Sequence, residues 1–399
     1  MKGRVLMKNT IYDYVDLRGD LSPIDFPYNE VDALIFSEFA YVNLDGLIDL
    51  DFEKSYTLKE VYELYVHRNE SLDEMQLSSI LIESHYLFEK MAHSLRYQNI
   101  RILSYINDID KELIKQFSAM TLQLEDQRLV IAYRGTDDTL VGWHEDFLML
   151  CENVVPAQIS SAEYLHYISQ YQNNTSFIES LKNRHLDSSL FQRIKKHFQY
   201  KKNCPLWLVG HSKGGNLAMY AACFTHNDTK KRIIQVDNFD GPGFQDEIMV
   251  SSQYKDMLPR IHSYIPHYSF FGIVLGHEEQ YTVVHSHYTG MLQHNGFSWE
   301  VAPQHFVDDE LSFESVQFAI KVILFLEKLT NEEKHQFVEA MFGLFDSLDL
   351  YTFTDLSHIS YKHILNAIKE LTLLDSKTRK MLIEVLHMLW LEAKKTKTE

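Results

Sequence analysis

The sequence predicts an α/β fold with a mostly parallel central sheet, followed by a C-terminal region made of helices alone. In the middle of the chain, apolar segments of strand length alternate with segments of helical periodicity, as in parallel sheets. One such strand, at 206–209, runs directly into a glycine-flanked serine and a new helix. From residue 312 onward the pattern is helical throughout, with few glycines or prolines. We therefore expect a domain over 1–310 and a helical region over 311–399.

The individual elements can be assigned in order along the chain. Residues 1–27 are expected to be irregular, because Pro23 and Pro27 act as breakers, whereas Asn29 can cap the first helix. Asp375 can cap the last helix. Further helical patterns lie at 57–66, 73–95 and 160–200, and strands are expected at 101–106, 118–124, 129–133, 206–209, 233–239, 261–265 and 281–284.

The charge and the cysteine content of the chain indicate which partners and which cellular compartment to expect. The chain has 399 residues, and its 38 basic and 56 acidic side chains give a formal net charge of −18. Such a chain repels phosphate groups, so nucleic acid and anionic membranes are not expected partners. The three cysteines, Cys151, Cys204 and Cys223, make no disulfide framework, which indicates a reducing compartment. Since no signal segment or integral membrane segment is evident, we expect a cytoplasmic protein.

The glycine-flanked serine has the sequence of a nucleophile elbow. Gly210 and Gly214 surround Ser212 in a G-x-S-x-G pentapeptide that has a strand before it and a helix after it. Glycine permits the close approach of strand and helix that such a tight turn requires. The turn would leave the serine hydroxyl exposed, beside the free N–H groups of the new helix. This setting predicts acyl chemistry on an α/β-hydrolase fold.

A serine nucleophile needs a base, and the base needs an orienting acid. The candidate acid is Asp240, which directly follows the strand at 233–239 and shares a sheet edge with the elbow. Asp237, inside that strand, and Glu278 and Glu279 further along are the alternatives.

The candidate base is His294, in a polar, glycine-containing loop after the strand at 281–284. His277 is the alternative base. His285 and His287 alternate along one strand and could suggest a metal pair. However, no third ligand stands at a suggestive spacing, so we expect neither a metal ion nor another cofactor.

The oxyanion formed during acyl transfer needs two backbone N–H donors. The residue after the nucleophile, Lys213, supplies the first. Thr136, in the Arg-Gly-Thr turn that follows the strand at 129–133, can supply the second. The same lysine suggests an anionic substrate if its side chain faces the site rather than the surface.

Two of these motifs resemble a known family. The segment 130–136, with Trp143 and Asp146, and the elbow at 210–215 are similar to the class 3 (fungal-type) lipase superfamily. More closely, residues 21–301 resemble an uncharacterised bacterial family of lipase-like α/β-hydrolases. The further matching pieces are 24–34, 240–244 and Gln293-His294 with Trp299.

The resemblance implies an α/β-hydrolase fold and a Ser–Asp–His triad, without a known substrate. Two features depart from class 3 lipases. Lys213 follows the serine, where lipases usually carry an apolar residue or glutamine. In addition, the segment 265–269 contains no acid, although those lipases place theirs in the corresponding position.

The sequence thus predicts a serine esterase that acts on a small-molecule ester or a lipid through an acyl-enzyme. Two alternatives remain open. The chain could be a weakly catalytic scaffold whose helical tail binds an unknown protein partner, or an amidase or peptidase with the same triad.

Overall fold

The computed structural model describes residues 9–47, 56–68, 79–170 and 204–348, together with 376 and 378–380. The part of the predicted helical segment 160–200 that follows residue 170, and most of the helix expected after Asp375, lie outside the described residues.

An eight-stranded mixed sheet forms the centre of the molecule, and its strands follow one another in sequence order. The first four strands pair antiparallel, whereas the fourth to the eighth pair parallel. The strands are β1 (Tyr56–Thr57), β2 (Arg101–Asp110), β3 (Lys115–Gln123), β4 (Leu129–Tyr133), β5 (Leu206–His211), β6 (Ile233–Phe239), β7 (Ile261–Pro266) and β8 (Gln280–Val284).

Helices cover both faces of this sheet, which is the architecture of an α/β-hydrolase fold. Nine of the described helices have eight or more residues: α1 (Ile11–Arg18), α2 (Glu30–Phe39), α3 (Leu58–Arg68), α4 (Ser79–His93), α5 (Leu140–Leu148), α6 (Pro156–Gln170), α7 (Lys213–Phe224) and, after three short helices, α11 (Phe313–Leu326) and α12 (Asn331–Ser347). The short ones are α8 (Asn227–Lys230), α9 (Asp246–Met249) and α10 (Ser252–Met257), and α12 is the last helix described in full.

Strand β5 shows how the core is divided between the two faces. Trp207 and Val209 belong to a buried cluster with α2, whereas Leu206 and Leu208 pack with α6 and α7. Successive side chains of a strand point to opposite faces, so an unbroken apolar strand is expected where both faces are covered. The predicted buried parallel strand is therefore present.

The register of the parallel strands brings their carboxyl ends to one edge. Tyr133, at the end of β4, pairs with Gly210, and His211 pairs with Phe239 at the end of β6. The residues that follow β4, β5 and β6 consequently emerge side by side. This edge carries the candidate functional residues.

The expectation that residues 1–27 are irregular was wrong for part of that segment. Helix α1 begins after Thr10, whose backbone N–H donates to Asp13 Oδ2 at 2.9 Å in a capping box. The helix packs Ile11 and Val15 into the main core. This capping signal is local, and Pro23 and Pro27 break only the segment that follows the helix.

The two helices that the structure describes in full after residue 312, α11 and α12, pack on the rest of the fold. Phe337, Met341 and Phe342 of α12 share a buried cluster with Leu140 and Leu148 of α5. Within the described residues, no helix combines the length and hydropathy that a membrane crossing requires.

Candidate active site

Ser212 occupies a strained backbone position between β5 and α7. Its φ of 56° and ψ of −133° lie where residues with a side chain are rare, at a cost of about 1–3 kcal/mol. The strain is maintained because the Ser212 N–H donates to Phe239 O at 2.9 Å. A Cβ on Gly210 would lie 2.1 Å from Gly214 O, so both flanking positions lack room for a side chain. The Ser212 hydroxyl does not cap the helix that follows.

Asp240 is a second residue with positive φ, 50°, directly after β6. Its side chain is fully buried. Oδ1 accepts from the Ser269 hydroxyl at 2.5 Å and from the Gly272 N–H at 3.1 Å, which leaves Oδ2 for a different partner. The segment 265–269, which contains no acid, thus supplies the hydroxyl that fixes the orientation of this carboxylate.

His294 is the partner of Asp240. Its Nδ1 lies 2.6 Å from Asp240 Oδ2, and the side chain keeps 21% of its surface exposed. Donation from Nδ1–H to the carboxylate leaves Nε2 as the nitrogen that can take a proton from a hydroxyl group. The two residues that the sequence put forward as acid and base are therefore brought together in the structure.

The loop that carries His294 is anchored on both sides of that residue. Gln293 accepts from the Tyr268 N–H through its side chain at 2.8 Å, and from Trp299 Nε1 through its carbonyl at 2.8 Å. Asn295 Nδ2 donates to Glu83 Oε2 at 2.7 Å. Since Trp299 is fully buried, the loop is tied to the core rather than held by surface contacts.

Sequence reasoning missed the neighbour of His294 on the other side, His211. The His211 Nε2–H donates to the His294 carbonyl at 2.8 Å, and the two ring centroids are 4.7 Å apart. Tyr41 OH lies 3.2 Å from His211 Nδ1, and Glu38 Oε1 lies 3.5 Å from the same nitrogen. Burial, with a smaller contribution from His294, lowers the pKa of His211 to about 3. The ring is thus neutral, with a donor at Nε2 and an acceptor at Nδ1.

The turn after β4 lies against Ser212. A Cβ on Gly135 would stand 3.2 Å from Ser212 Cβ and 2.6 Å from the His211 carbonyl. The next residue, Thr136, is buried, and its hydroxyl donates to Asp146 Oδ2 at 2.5 Å. The Thr136 hydroxyl is therefore engaged in holding the turn, and its backbone N–H is the group that remains relevant to an oxyanion.

Lys213 follows Ser212, and its side chain is buried inside the fold. It is 1% exposed, and Nζ lies 3.1 Å from Glu145 Oε2 and 3.5 Å from Asp146 Oδ1 on α5. Burial raises the pKa of Asp146 to about 6, although the charge of Lys213 opposes that shift. An anionic substrate was suggested only if this side chain faces the site, and that condition is not met, because Lys213 pairs with carboxylates inside the fold. Lys213 links the elbow to α5, the helix that follows the Thr136 turn.

The alternative residues are bonded elsewhere. His277 Nδ1 lies 2.6 Å from Glu279 Oε1, and Glu278 pairs with exposed Lys255. Although burial opposes its ionisation, the hydrogen bond from His277 lowers the pKa of Glu279 to about 2. Asp237 accepts from Trp207 Nε1 at 2.5 Å and from Gln235.

Aromatic rings line one side of the site. The Phe271 ring centroid is 4.3 Å from that of His294, Phe270 contacts Phe271 at 5.3 Å, and Phe318 of α11 contacts Phe270 at 5.2 Å. A series of aromatic contacts therefore connects His294 with α11, the first helix after residue 312. Among the described residues, the group with metal-ligand spacing consists of His285, His287 and Glu300 alone, and it contains none of the residues above.

Comparison with known proteins gives one family match. The family model described as Mbeg1-like matches residues 91–343, which is more than half of the chain. That range includes the elbow, Asp240 and His294. None of the curated proteins compared matches the chain.

Several solved lipase structures are distantly similar to this chain. One is M37 lipase, with 14% identity, a TM-score of 0.33, and coverage of 61% of this chain and 70% of that one. Another is lipase II from Rhizopus niveus, with 11% identity, a TM-score of 0.34, and coverage of 73% and 91%. A third is the Rhizomucor miehei lipase in complex with its propeptide, with 10% identity, a TM-score of 0.32, and coverage of 63% and 67%.

Proposed function

The chain belongs to the Mbeg1-like family, and from this premise we propose that it is a serine hydrolase that cleaves carboxylic esters. The observation that carries the proposal is the 2.6 Å contact between His294 Nδ1 and Asp240 Oδ2. The His294 carbonyl also accepts from His211, which directly precedes the serine in the strained elbow after β5. A buried carboxylate, an oriented imidazole and an elbow serine together are the constellation that activates a hydroxyl for attack on a carbonyl.

The reaction proceeds through an acyl-enzyme. Ser212 Oγ attacks the ester carbonyl carbon while its proton passes to His294 Nε2, and Asp240 stabilises the resulting imidazolium. His294 then gives that proton to the departing alkoxide, so an alcohol leaves and the acyl group stays on Ser212. Water attacks the acyl carbon next and gives one proton to His294 Nε2. His294 passes that proton to Ser212 Oγ as the bond between the acyl carbon and Oγ breaks, and the carboxylic acid leaves.

The negative oxygen of each tetrahedral intermediate accepts from two backbone N–H groups. Lys213 is the first residue of α7, so its N–H has no partner within the helix. Thr136 supplies the second from a turn fixed by Asp146. Donors that are held in place before the reaction stabilise the developing charge without reorganisation.

The surroundings of the site favour an acyl group with apolar character. Phe270 and Phe271 stand beside His294, whereas Lys213 is neutralised within the fold by Glu145. An apolar acyl chain gains about 25 cal/mol for each Å² that it buries against such rings. We accordingly assign a small-molecule ester or lipid as the substrate, with no role for nucleic acid. The free cysteines suit a cytoplasmic location.

The test combines covalent labelling with turnover. We expect a fluorophosphonate probe to label the parent protein and to leave Ser212→Ala unlabelled, with the two proteins equally folded by circular dichroism. Ser298→Ala, which changes a serine of the His294 loop bonded to Ser286, is the matched control and should still be labelled. Equal labelling of parent and Ser212→Ala would overturn the assignment.

Chromogenic esters of graded acyl length, with matched amides, define the reaction. Hydrolysis of esters in preference to amides supports an esterase, and preferential hydrolysis of the amides would instead indicate an amidase or peptidase. Absence of turnover on every substrate, together with absence of labelling, would contradict an enzymatic role and favour a scaffold that binds a protein partner.

A further inference from the structure

Three potential metal ligands meet at the base of the His294 loop. One nitrogen of His285, one nitrogen of His287 and one carboxylate oxygen of Glu300 all lie within 4.8 Å of one another. None of the three belongs to the proposed triad. We propose that these residues form a binding site for a divalent transition-metal ion, with zinc as the preferred ion.

The spacing of the ligand atoms suits a small ion. In a tetrahedral site with zinc–ligand bonds of about 2.0–2.1 Å, neighbouring ligand atoms are separated by roughly 3.3 Å. His285 Nε2 lies 3.7 Å from Glu300 Oε2, so a shift of a few tenths of an ångström brings this pair to that separation. All three side chains are partly exposed, which leaves the fourth coordination position open to water.

The orientation of His285 is set by a carboxylate on its other nitrogen. His285 Nδ1 lies 2.8 Å from Asp309 Oδ2, which directs Nε2 towards Glu300. Asp309 Oδ1 in turn lies 3.3 Å from His267 Nδ1. Ligating histidines commonly have such a carboxylate behind them, because it fixes the ring and makes the ligating nitrogen more basic.

The backbone explains why the ligands converge although they are distant in sequence. Ser286 pairs antiparallel with Trp299, the His287 N–H donates to Ser298 O at 2.9 Å, and the Glu300 N–H donates to His285 O at 2.8 Å. His285 and His287 lie on the stem that enters the His294 loop, and Glu300 lies on the stem that leaves it. The expectation that the histidine pair has no third ligand considered only nearby sequence, and antiparallel pairing supplies Glu300.

The donor set selects the kind of ion. Two imidazoles and one carboxylate match zinc and similar transition metals, whereas Mg²⁺ prefers oxygen ligands and near-octahedral geometry. A bound ion would join the two stems of the loop through side chains, in addition to their backbone hydrogen bonds. The consequence of binding is a more stable position for the loop that carries His294.

Metal binding can be measured without reference to catalysis. The full chain carrying Ser212→Ala is stripped with a chelator, and zinc binding is followed by isothermal titration calorimetry in the presence of Mg²⁺. We expect one zinc site that Mg²⁺ does not occupy. Asp309→Asn should weaken zinc binding by about 10- to 100-fold. His287→Ala and Glu300→Gln remove a ligand and should weaken it further.

The control is His67→Gln, which removes an exposed histidine on α3 and should leave zinc affinity unchanged. Each variant is compared with its parent by thermal unfolding without metal, so that loss of binding is separated from loss of fold. Absence of zinc binding by the parent would overturn the proposed site. So would a zinc affinity in His287→Ala and Glu300→Gln that equals the affinity of the parent. Either result is independent of whether Ser212 is a nucleophile.

Discussion

His294 is held at two different points by two side chains. Asp240 contacts its ring nitrogen Nδ1, whereas His211 donates to its backbone carbonyl and packs on its ring. His211 directly precedes Ser212, so it connects the elbow to the loop that carries His294. We therefore regard His211 as a positioning residue, which acts on the reaction through His294.

Replacement of His211 by alanine should lower kcat more than it alters KM. Removal of the ring frees the His294 carbonyl and the space beside the imidazole, and a displacement of about 1 Å can lower the rate by about 100-fold. Ester hydrolysis by purified His211→Ala measures both constants. Tyr41→Phe removes only the hydroxyl that contacts His211 Nδ1 and should lower kcat less. An unchanged kcat in His211→Ala would contradict the positioning role.

At the scale of single elements, α2 is fixed by a buried ion pair. Asp32 receives two hydrogen bonds from the Arg96 guanidinium, at 2.7 and 2.6 Å, and one from Tyr97 OH at 2.5 Å. It also accepts from the Asn29 N–H at 2.9 Å, which closes the capping box of α2. The segment 24–34, one of the pieces that carry the family resemblance, thus has a structural role: it supplies the cap of α2 and the carboxylate that pairs with Arg96.

Replacement of Asp32 by asparagine should destabilise the fold severely. Arg96 would remain as a buried charge without its counter-ion, and breaking such a pair costs about 3–5 kcal/mol. Urea unfolding followed by circular dichroism measures the free energy of unfolding. The matched control is Asp16→Asn, which breaks an exposed pair with Lys90 and should cost less than about 1 kcal/mol. Similar losses in both variants would refute this account of α2.

The elements differ in how well the sequence specifies them. Strands β4 to β8 could be predicted, because short apolar runs between polar turns report burial on both faces of a sheet. Helix α1 was missed although its capping box is local. The helix expected after Asp375 stays a prediction, as do the domain bounds 1–310 and 311–399.

At the scale of the whole molecule, the sequence predicts where the site lies better than it predicts how its side chains meet. Ser212 and Asp240 follow neighbouring parallel strands and therefore lie at the same edge of the sheet, so their proximity follows from strand order alone. The contact of Lys213 with Glu145 and that of His285 with Asp309 depend on loop paths and helix packing. Local patterns carry no record of those long-range contacts, and sequence reasoning therefore missed them.

The position of Asp240 allows the triad to be tested with little change in shape. Asparagine keeps the size of the side chain and can still accept from Ser269 and Gly272, but it removes the charge that orients and stabilises the His294 ring. In a Ser–His–Asp triad, this substitution lowers kcat by about 10⁴-fold. The same change at Asp237, a buried aspartate in the strand that precedes Asp240, is the matched control.

The most direct measurement of the central claim is therefore kcat for a chromogenic ester in Asp240→Asn, Asp237→Asn and the parent. We predict that Asp240→Asn loses about four orders of magnitude while its circular dichroism spectrum is unchanged, and that folded Asp237→Asn keeps most of its activity. A folded Asp240→Asn protein with parental kcat would contradict the proposed Ser212–His294–Asp240 mechanism.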